Sequence, residues 1–305
     1  MHCPTLNDLP SSQSGNLGWP WTEECLQLPD TMSDGSSWPK ISIITPSYNQ
    51  ASFLEETIRS VLLQGYPNLE YIIIDGKSTD GSVDIIKKYD SWITFWVSES
   101  DKGQSQAINK GLSHSTGDIV AWLNSDDIYK LNIFEEVANI MWRKNRTIFP
   151  IIYGDCDVIN ESGQLIDHWA GLPIDRYKMI AYWRGKWGRD WAIPQQSVFI
   201  NGDIFREYRL DESLFYLMDR ELWIRLSEKY CYHYCDITLS AYRYHKDCKT
   251  ALRKNYFDKE LKAVSRRFWG PGVLRYFSFW LDYYCYIFFK DTKYFIKRTL
   301  DFFSS

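Results

Sequence analysis

Between residues 41 and 123 the chain alternates short apolar runs with amphipathic stretches. The apolar runs predict four strands, at 41–44, 71–74, 93–97 and 119–123. The amphipathic stretches predict helices that begin after Gln50, at Ser82 and at Gln104. Strands and helices that alternate at this spacing along the chain are typical of right-handed crossover connections, which build a parallel sheet.

The pattern divides the chain into three predicted regions. Residues 1–39 show neither helical nor strand periodicity and contain isolated tryptophans, which predicts an irregular arm pinned to the main domain by its indoles. Residues 40–250 form the predicted main domain. Within it, the irregular stretch 171–191, with Trp183, Trp187 and Trp191, predicts a lid or binding element.

The pattern of residues 251–305 predicts a helical tail. Its first part is rich in basic residues, and aromatic residues follow at three- and four-residue steps. An aromatic amphipathic helix flanked by cations can lie in a membrane interface, which would give peripheral association. It can equally pack on the main domain, and both arrangements stay open. The most apolar stretch, 276–289, contains Asp282 and is shorter than the roughly 20 residues that a membrane span needs.

Composition narrows the class of protein. A net charge of -4 argues against nucleic acid as a partner, because phosphate backbones require a basic surface. The seven scattered cysteines favour reduced thiols, and residues 1–40 lack the apolar core of a secretory signal, so we expect a cytoplasmic protein. Cys231, His233 and Cys235 alternate along a predicted strand, but their spacing is uncommon for zinc, and buried thiols are the expectation.

Oxygen-bearing side chains follow the predicted strands at one edge of the sheet. Thr45, Asp75, Asp101 and Asp126 each come after a strand, and ligands of open α/β sheets bind at this edge. Asp126 and Asp127 together would repel unless a cation lies between them, and a divalent ion that holds a phosphate is the usual one. Taken alone, the pair is better explained as a solvated turn.

Two common nucleotide-binding fingerprints are absent from the sequence. No Gly-x-Gly-x-x-Gly follows the first strand, and no Gly-x-x-x-x-Gly-Lys-Ser/Thr occurs. A sugar nucleotidyltransferase would need a Gly-rich loop that ends in a basic residue, and residues 45–50 do not provide one.

Five motifs in succession resemble those of the family 2 glycosyltransferases. They are Thr45-Pro46-Ser47-Tyr48-Asn49, Ile73-Ile74-Asp75-Gly76 with Ser78–Ser82, Asp101-Lys102-Gly103 with Asn109-Lys110-Gly111, Gly117-Asp118 with Leu123–Asp127, and the segment Asp211–Leu226. The resemblance covers about residues 40–250. It implies an α/β GT-A fold, with a Rossmann-like, mainly parallel sheet flanked by helices, to which the tail adds a C-terminal helical extension. One departure is Asp75-Gly76-Lys77-Ser78, where many members carry Asp-Asp-Gly-Ser.

The resemblance also implies roles for individual residues. Asp219, just ahead of an amphipathic helix, would be the catalytic base, whereas Arg220 and Glu221 point elsewhere because consecutive helical side chains diverge. Mg²⁺ or Mn²⁺ would be held by Asp126, Asp127 and His245, with Arg243 and Lys246 as alternative phosphate contacts. The predicted nucleotide-sugar contacts are Thr45, Pro46, Tyr48, Asn49, Asp75, Lys102, Asn109 and Asp126.

The predicted reaction is transfer of a sugar, with inversion, from a nucleoside diphosphate sugar to a hydroxyl of a glycan or lipid-linked acceptor. A non-catalytic carbohydrate- or partner-binding module on a degenerate GT-A fold is the alternative. Such a module would not need the metal and base carboxylates together. Asp126, Asp127 and Asp219 are all present, which favours the enzyme.

Overall fold

The computed structural model describes residues 3–11, 15–143, 146–181, 193–249, 251 and 255–269, with residues 278, 280, 281 and 284. Within this part of the chain, nine strands form one sheet. Helices cover both faces of the sheet. This arrangement agrees with the predicted α/β class.

The first half of the sheet is parallel, as the alternation of strands and helices predicts. Strand β1 lies between β2 and β4, and β2 continues to β3. These strands are β1 (Ile41–Ser47), β2 (Leu69–Asp75), β3 (Phe95–Ser98) and β4 (Ile119–Trp122). Their carboxyl ends therefore meet along one edge.

The second half of the sheet is mixed. Strand β10 runs antiparallel to both β4 and β8, while β8 and β11 are parallel. The strands are β5 (Ile128–Tyr129), β8 (Ile151–Ile159), β9 (Leu165–Trp169), β10 (Val198–Asn201) and β11 (His233–Arg243); β6 (Trp142–Arg143) and β7 (Arg146–Thr147) form a separate hairpin. The nine strands of the sheet lie in the order β3-β2-β1-β4-β10-β8-β11-β5, with β9 paired to β8. Strand β11 ends near residues 124–127, the tip that follows β4.

Two apolar layers lie on the two faces of the sheet, because side chains along a strand alternate. Ile43 of β1 belongs to one layer and Ile44 to the other. The helices that cover them are α1 (Ala51–Leu62), α2 (Ser82–Lys88), α3 (Gln104–His114), α4 (Ile133–Met141), α5 (Arg176–Ile180), α6 (Gly202–Glu207), α7 (Met218–Leu226) and α8 (Asn255–Phe268). Strand β9 and helices α4 and α6 are not among the elements predicted from the sequence, and α5 lies within the stretch 171–191 that was predicted to be irregular.

The irregular N-terminal arm lies against α1. Its chief contact is Arg59, which is 2% exposed and donates to the carbonyl oxygens of Pro10 and Pro20 at 3.1 and 3.0 Å. The Trp19 indole donates to the carbonyl of Tyr129 at 2.7 Å. Trp38 instead donates to Pro29 within the arm.

Helix α8, the described part of the predicted tail, packs on the domain. Phe257, Leu261 and Val264 are buried in the same apolar layer as Leu217 and Leu222 of the α7 region. Residues 255–268 thus adopt the second of the two arrangements expected for the tail. Trp183, Trp187, Trp191 and most of the tail beyond 269 lie outside the described residues.

No helix among the described residues is long and apolar enough to cross a membrane. The six cysteines of this part of the chain are free thiols: Cys3, Cys25, Cys156, Cys231, Cys235 and Cys248. The ring of His233 stacks on Phe149 with centroids 3.9 Å apart. Nowhere in the described ranges do three or more His, Cys, Asp or Glu side chains form a group that could hold a metal ion. Cys235 is buried as expected, whereas Cys231 is exposed, so the expectation of buried thiols is wrong for Cys231.

Replacing Arg59 by Met should detach the arm. The substitution leaves buried carbonyl oxygens of the arm without donors, so we expect it to lower the free energy of unfolding by about 2–4 kcal/mol. Urea denaturation measures the loss, and limited proteolysis reports the release of residues 3–30. The matched control is Lys88→Met, which removes an exposed cation from α2. Equal stability of the two variants would contradict the proposed anchoring.

Candidate active site

The loops that follow β1 and β2 are tied together at the carboxyl edge of the sheet. The main-chain N–H of Asn49 donates to Ser78 Oγ at 2.8 Å, and the N–H of Thr79 donates to Asn49 Oδ1 at 2.8 Å. Asn49 has a φ of 50°, a left-handed conformation that Asn tolerates better than most residues. Tyr48, beside it, is 62% exposed and faces outward. At this edge of the sheet, hydrogen bonds therefore fix the main chain of the two loops, and the Tyr48 ring is exposed to solvent.

Asp75, at the end of β2, is fully buried. Its carboxylate accepts from Ser78 N–H at 2.9 Å, from Ser78 Oγ at 2.5 Å and from Ser98 Oγ at 2.6 Å. A carboxylate offers about four lone-pair sites, so these bonds leave about one acceptor site free. The Asp75 side chain thus holds the β2 and β3 ends together and keeps capacity for one further donor.

Gly76 leaves a narrow space between two predicted site residues. A Cβ at this position would lie 2.8 Å from Asp101 Oδ2 and 3.2 Å from Tyr48 Cδ2. Asp101 Oδ1 accepts the N–H of Gly103, and Lys102 between them is exposed. The ends of β1, β2 and β3 therefore do converge, with glycine at the point of closest approach.

Asp127 lies beneath the surface of the crevice. It has no exposed surface, and its two oxygens accept from the main-chain N–H of Arg243 at 2.9 Å and from Asn124 Nδ2 at 3.0 Å. Burial, and secondarily the negative charge of Asp126, raises the pKa of Asp127 well above its ordinary value. Both oxygens are thus engaged within the protein.

Asp126 points the other way, toward His245. Its Oδ2 lies 3.0 Å from His245 Nε2, and its side chain keeps 15% of its surface exposed. The His245 ring is buried against Phe53, with centroids 4.8 Å apart. Of the three predicted metal ligands, Asp126 and His245 therefore lie side by side, and Asp127 lies behind them.

Arg243 is not a phosphate contact, which corrects one alternative from the sequence. Its guanidinium is 1% exposed and donates to the carbonyl of Asp126 at 3.0 Å and to Glu56 Oε2 at 2.7 Å. Two further bonds reach the carbonyl oxygens of Asn160 and Glu161. Arg243 instead fastens the end of β11 to the tip that follows β4.

An amide network supports the same tip. Asn124 Oδ1 accepts from Gln104 Nε2 at 2.6 Å, and Asn124 Nδ2 also donates to Gln195 Oε1 at 3.1 Å. Gln195 in turn donates to the carbonyl of Trp122 at 2.9 Å. Strand β4, helix α3 and the turn before β10 therefore hold Asn124 from three sides, which limits the freedom of Asp126.

Asp219 occupies the first turn of α7 and is partly buried. Its Oδ1 accepts the N–H of Arg220 at 2.6 Å, and burial raises the pKa of Asp219. Glu221 is fully buried and pairs with Arg225 at 2.9 Å, so it faces a different side of the helix. A partly desolvated carboxyl with a raised pKa is suited to accept a proton near neutral pH.

Lys249 connects Asp219 with the tip after β4. Burial lowers its pKa to about 8, so the ammonium is mostly charged at pH 7, and that charge interacts with Asp219, Glu260 and Asp126. Its Nζ donates to the carbonyl of Phe215 at 2.9 Å. One cation therefore interacts with the charges of both carboxylates. The start of α3 also joins the two segments, because Gln104 binds Asn124 and the neighbouring Ser105 Oγ lies 2.8 Å from Met218 Sδ, next to Asp219.

Three residues that were predicted to contact the nucleotide instead lie within the protein or bind another segment of it. Thr45 lies within β1, and its hydroxyl is 3.1 Å from Tyr71 OH in the core. Pro46 is buried in the same strand. Asn109 donates to the carbonyl of Leu210 and to Glu212, and accepts the N–H of Leu210. The Asn109 side chain thus ties α3 to the segment before α7, which corrects its expected role.

Sequence reasoning missed Lys249, Gln104 and Gln195. A basic residue four positions after His245 was a usable signal for Lys249, because both belong to the segment that follows β11. The sequence around Gln104 and Gln195 gave no such signal, because a glutamine in a loop or at the start of a helix has no preferred function. Their roles depend on contacts between elements far apart in the chain.

Comparison with known proteins identifies what the chain is similar to. The sequence profile described as Glycosyl transferase family 2 matches residues 42–204, more than half of the chain. An uncharacterized glycosyltransferase of Rickettsia felis is 30% identical over 68% of this chain and 35% of its own length. The putative teichuronic acid biosynthesis glycosyltransferase TuaG of Bacillus subtilis is 40% identical over 36% of this chain and 45% of its own length. The chain thus spans less than half of these curated relatives.

Solved structures share the fold. A TarS fragment from S. aureus in complex with UDP-GlcNAc has a TM-score of 0.58 at 14% identity, covering 74% of this chain and 65% of that one. The mannosyltransferase PcManGT from Pyrobaculum calidifontis, in complex with GDP-Man and Mn2+, has a TM-score of 0.57 at 16% identity, covering 81% and 69%. The predicted GT-A fold is confirmed.

Removing the charge of Lys249 should raise the pKa of Asp219 further. The ammonium favours the ionised form of the Asp219 carboxyl, so Lys249→Met should move its titration to higher pH, whereas Lys249→Arg should not. Carbon-13 NMR of labelled aspartate carboxyls measures the titration, with Asp219→Asn for assignment. Lys246→Met removes an exposed cation of the same segment as the control. An unchanged Asp219 titration in Lys249→Met would disprove the electrostatic link.

Proposed function

Because the chain belongs to the family 2 glycosyltransferases, we propose that it transfers a sugar from a nucleoside diphosphate sugar to a hydroxyl group. The observation that carries this proposal is that Asp126 lies 3.0 Å from His245, while the start of α3 contacts both Asn124 and Met218, the neighbours of Asp126 and Asp219. Sugar transfer requires that a leaving diphosphate be neutralised and that an attacking hydroxyl lose its proton. Asp126 with His245 and Asp219 supply one candidate for each task.

The donor is proposed to bind at the carboxyl ends of β1, β2 and β3. The exposed ring of Tyr48 can stack on a nucleobase, and the fully buried Asp75 fixes the loop beneath it through two hydrogen bonds from Ser78. Gly76 keeps the floor of this space open, since a side chain there would collide with Asp101. Lys102 is exposed beside it and can approach the donor.

Asp126 and His245 fit a divalent cation. Adjacent ligands of an octahedral ion with bonds of about 2.1 Å lie roughly 3 Å apart, and Asp126 Oδ2 and His245 Nε2 are 3.0 Å apart. Mg²⁺ typically takes one or two protein ligands together with phosphate oxygens and water, so two are enough. When bound, Mg²⁺ or Mn²⁺ would act as a Lewis acid on the diphosphate. Asp127 is proposed to position Asp126 rather than to bind the ion.

Asp219 is proposed to accept the proton of the acceptor hydroxyl. Its raised pKa makes it a stronger base than an exposed aspartate, and the Lys249 charge keeps enough of it ionised to act. Lys249 also offers a positive charge between the base and the diphosphate. A separate base implies direct displacement, so inversion at the anomeric carbon is part of the proposal.

The acceptor is proposed to be a glycan or a lipid-linked glycan. The support is the relative TuaG, whose name refers to teichuronic acid biosynthesis. The alternative, a non-catalytic carbohydrate- or partner-binding module on a degenerate GT-A fold, has no need of Asp126, His245 and Asp219 together. The presence of all three favours the enzyme.

Asp219→Asn should abolish most turnover while donor binding survives. Loss of a general base typically lowers turnover 10²- to 10⁴-fold, and Asp219 is not proposed to touch the nucleotide. Turnover is measured as sugar-nucleotide hydrolysis or transfer with Mn²⁺, over a donor panel that includes UDP-GlcNAc and GDP-mannose. Donor binding is measured by thermal shift.

The matched control for the base is Asp203→Asn. Asp203 occupies the first turn of α6, as Asp219 occupies that of α7, but its side chain is 91% exposed. We expect turnover in this variant to equal that of the wild type. Donor binding without any turnover in the wild type would favour the binding module over the transferase.

Substitutions of the paired aspartates should separate metal binding from stability. Asp126→Ala should lose the rise in melting temperature that Mn²⁺ with a nucleoside diphosphate produces. It should lower ligand-free stability less than Asp127→Ala does, because only the buried His245 ring loses a partner. Asp127→Ala should lower ligand-free stability by about 1–3 kcal/mol, because Arg243 N–H and the Asn124 amide lose a buried acceptor. If Asp127→Ala instead keeps its stability and loses the Mn²⁺ effect, Asp127 is the metal ligand and the proposed assignment is wrong.

A further inference from the structure

Glu260, on helix α8, touches the segment that leads into α7. Its Oε1 accepts the N–H of Phe215 at 2.7 Å, and its Oε2 accepts those of Tyr216 and Leu217 at 2.8 and 3.1 Å. Glu260 is 7% exposed. Three consecutive main-chain N–H groups directed at one carboxylate form charge-assisted bonds that are stronger than neutral ones.

This segment ends two residues before Asp219. Leu217 immediately precedes α7, and the carbonyl of Leu217 accepts the N–H of Glu221 in the first helical turn. The direction in which α7 begins therefore depends on residues 215–217. Since Asp219 lies in that first turn, whatever fixes these three residues also fixes its carboxylate.

Lys249 holds the same segment from the other side. It donates to the carbonyl of Phe215, and its ammonium interacts with the charges of Glu260 and Asp219. The main chain at Phe215 is thus held at its N–H by an anion and at its carbonyl by a cation. Both contacts arise outside α7.

Helix α8 is attached firmly enough to impose this position. Three apolar residues that flank Glu260 in the sequence are buried: Phe257, Leu261 and Val264. In addition, Arg267 forms an ion pair with Asp211 at 3.1 Å. A helix with this much buried apolar surface does not detach readily. Its Glu260 therefore acts as a fixed point for the residues before α7.

We propose that Glu260 is a positioning residue for the base of the reaction: by binding the N–H groups of residues 215–217, it sets the orientation of Asp219. The inference rests on the proposed function, because it assigns Asp219 as the base. It makes α8, which lies beyond the matched range 42–204, part of the catalytic unit. Glu260 itself does not touch the substrate.

Glu260→Gln tests this role with little change of shape. The amide keeps one acceptor oxygen and places an NH₂ group against at least one N–H, so the segment should shift. A displacement of about 1 Å can cost about 10²-fold in rate. We expect turnover to fall by about that factor, with the donor KM and the Mn²⁺-dependent thermal shift unchanged. Hydrogen exchange at residues 215–217 should become faster.

Two further variants sharpen the result. Asp258→Asn removes an exposed carboxylate two positions away on the same helix and should leave every readout unchanged. Glu260→Asp keeps the charge on a shorter stem and should retain an intermediate turnover; it replaces the Gln variant if that protein does not fold. Faster exchange at residues 215–217 with wild-type turnover would overturn the positioning role.

Failure of the proposed function gives a different pattern. If the wild type turns over no donor, the carbon-13 titration of Asp219 becomes the readout. A shifted Asp219 titration in Glu260→Asp, which keeps the negative charge, would uphold the positioning of this side chain, because Glu260→Gln changes the titration through loss of charge alone. An unchanged titration would overturn it.

Discussion

Asp127 is the buried carboxyl group on which the geometry of the site depends. A carboxyl group without water is tolerable only where N–H groups replace its hydration, and here the donors are the main chain of Arg243 and the amide of Asn124. The end of β11 must therefore meet the tip that follows β4. His245 comes two residues after Arg243 and so reaches Asp126, the neighbour of Asp127. The burial of one aspartate thus turns the other toward the crevice.

The arrangement of the first half of the fold could be predicted because it depends on local patterns. Alternation in β1 sends Ile43 and Ile44 to opposite faces, and the apolar run 119–123 ends abruptly at Asn124. Parallel strands bring their carboxyl ends to one edge whatever the details of the side chains. The convergence of Tyr48, Asp75 and Asp101 follows from topology alone.

Contacts made by single side chains could not be predicted in the same way. Asn109 belongs to a motif of the family, yet its amide holds the segment at Leu210, and Arg243 is buried although its sequence position suggested a phosphate contact. Glu260 lies in a stretch whose pattern indicates only an amphipathic helix. Each of these roles is decided by a partner more than 40 residues away, which hydrophobic periodicity does not record.

The central claim is that Asp126 and Asp219 serve one cleft around one cation and one diphosphate. Crystals grown with Mn²⁺ and a nucleoside diphosphate sugar, measured at a wavelength where manganese scatters anomalously, test it most directly. We expect an anomalous peak bonded to Asp126 and His245, with the diphosphate on the ion and Asp219 facing the sugar. A peak elsewhere, or a donor whose sugar points away from Asp219, would contradict it.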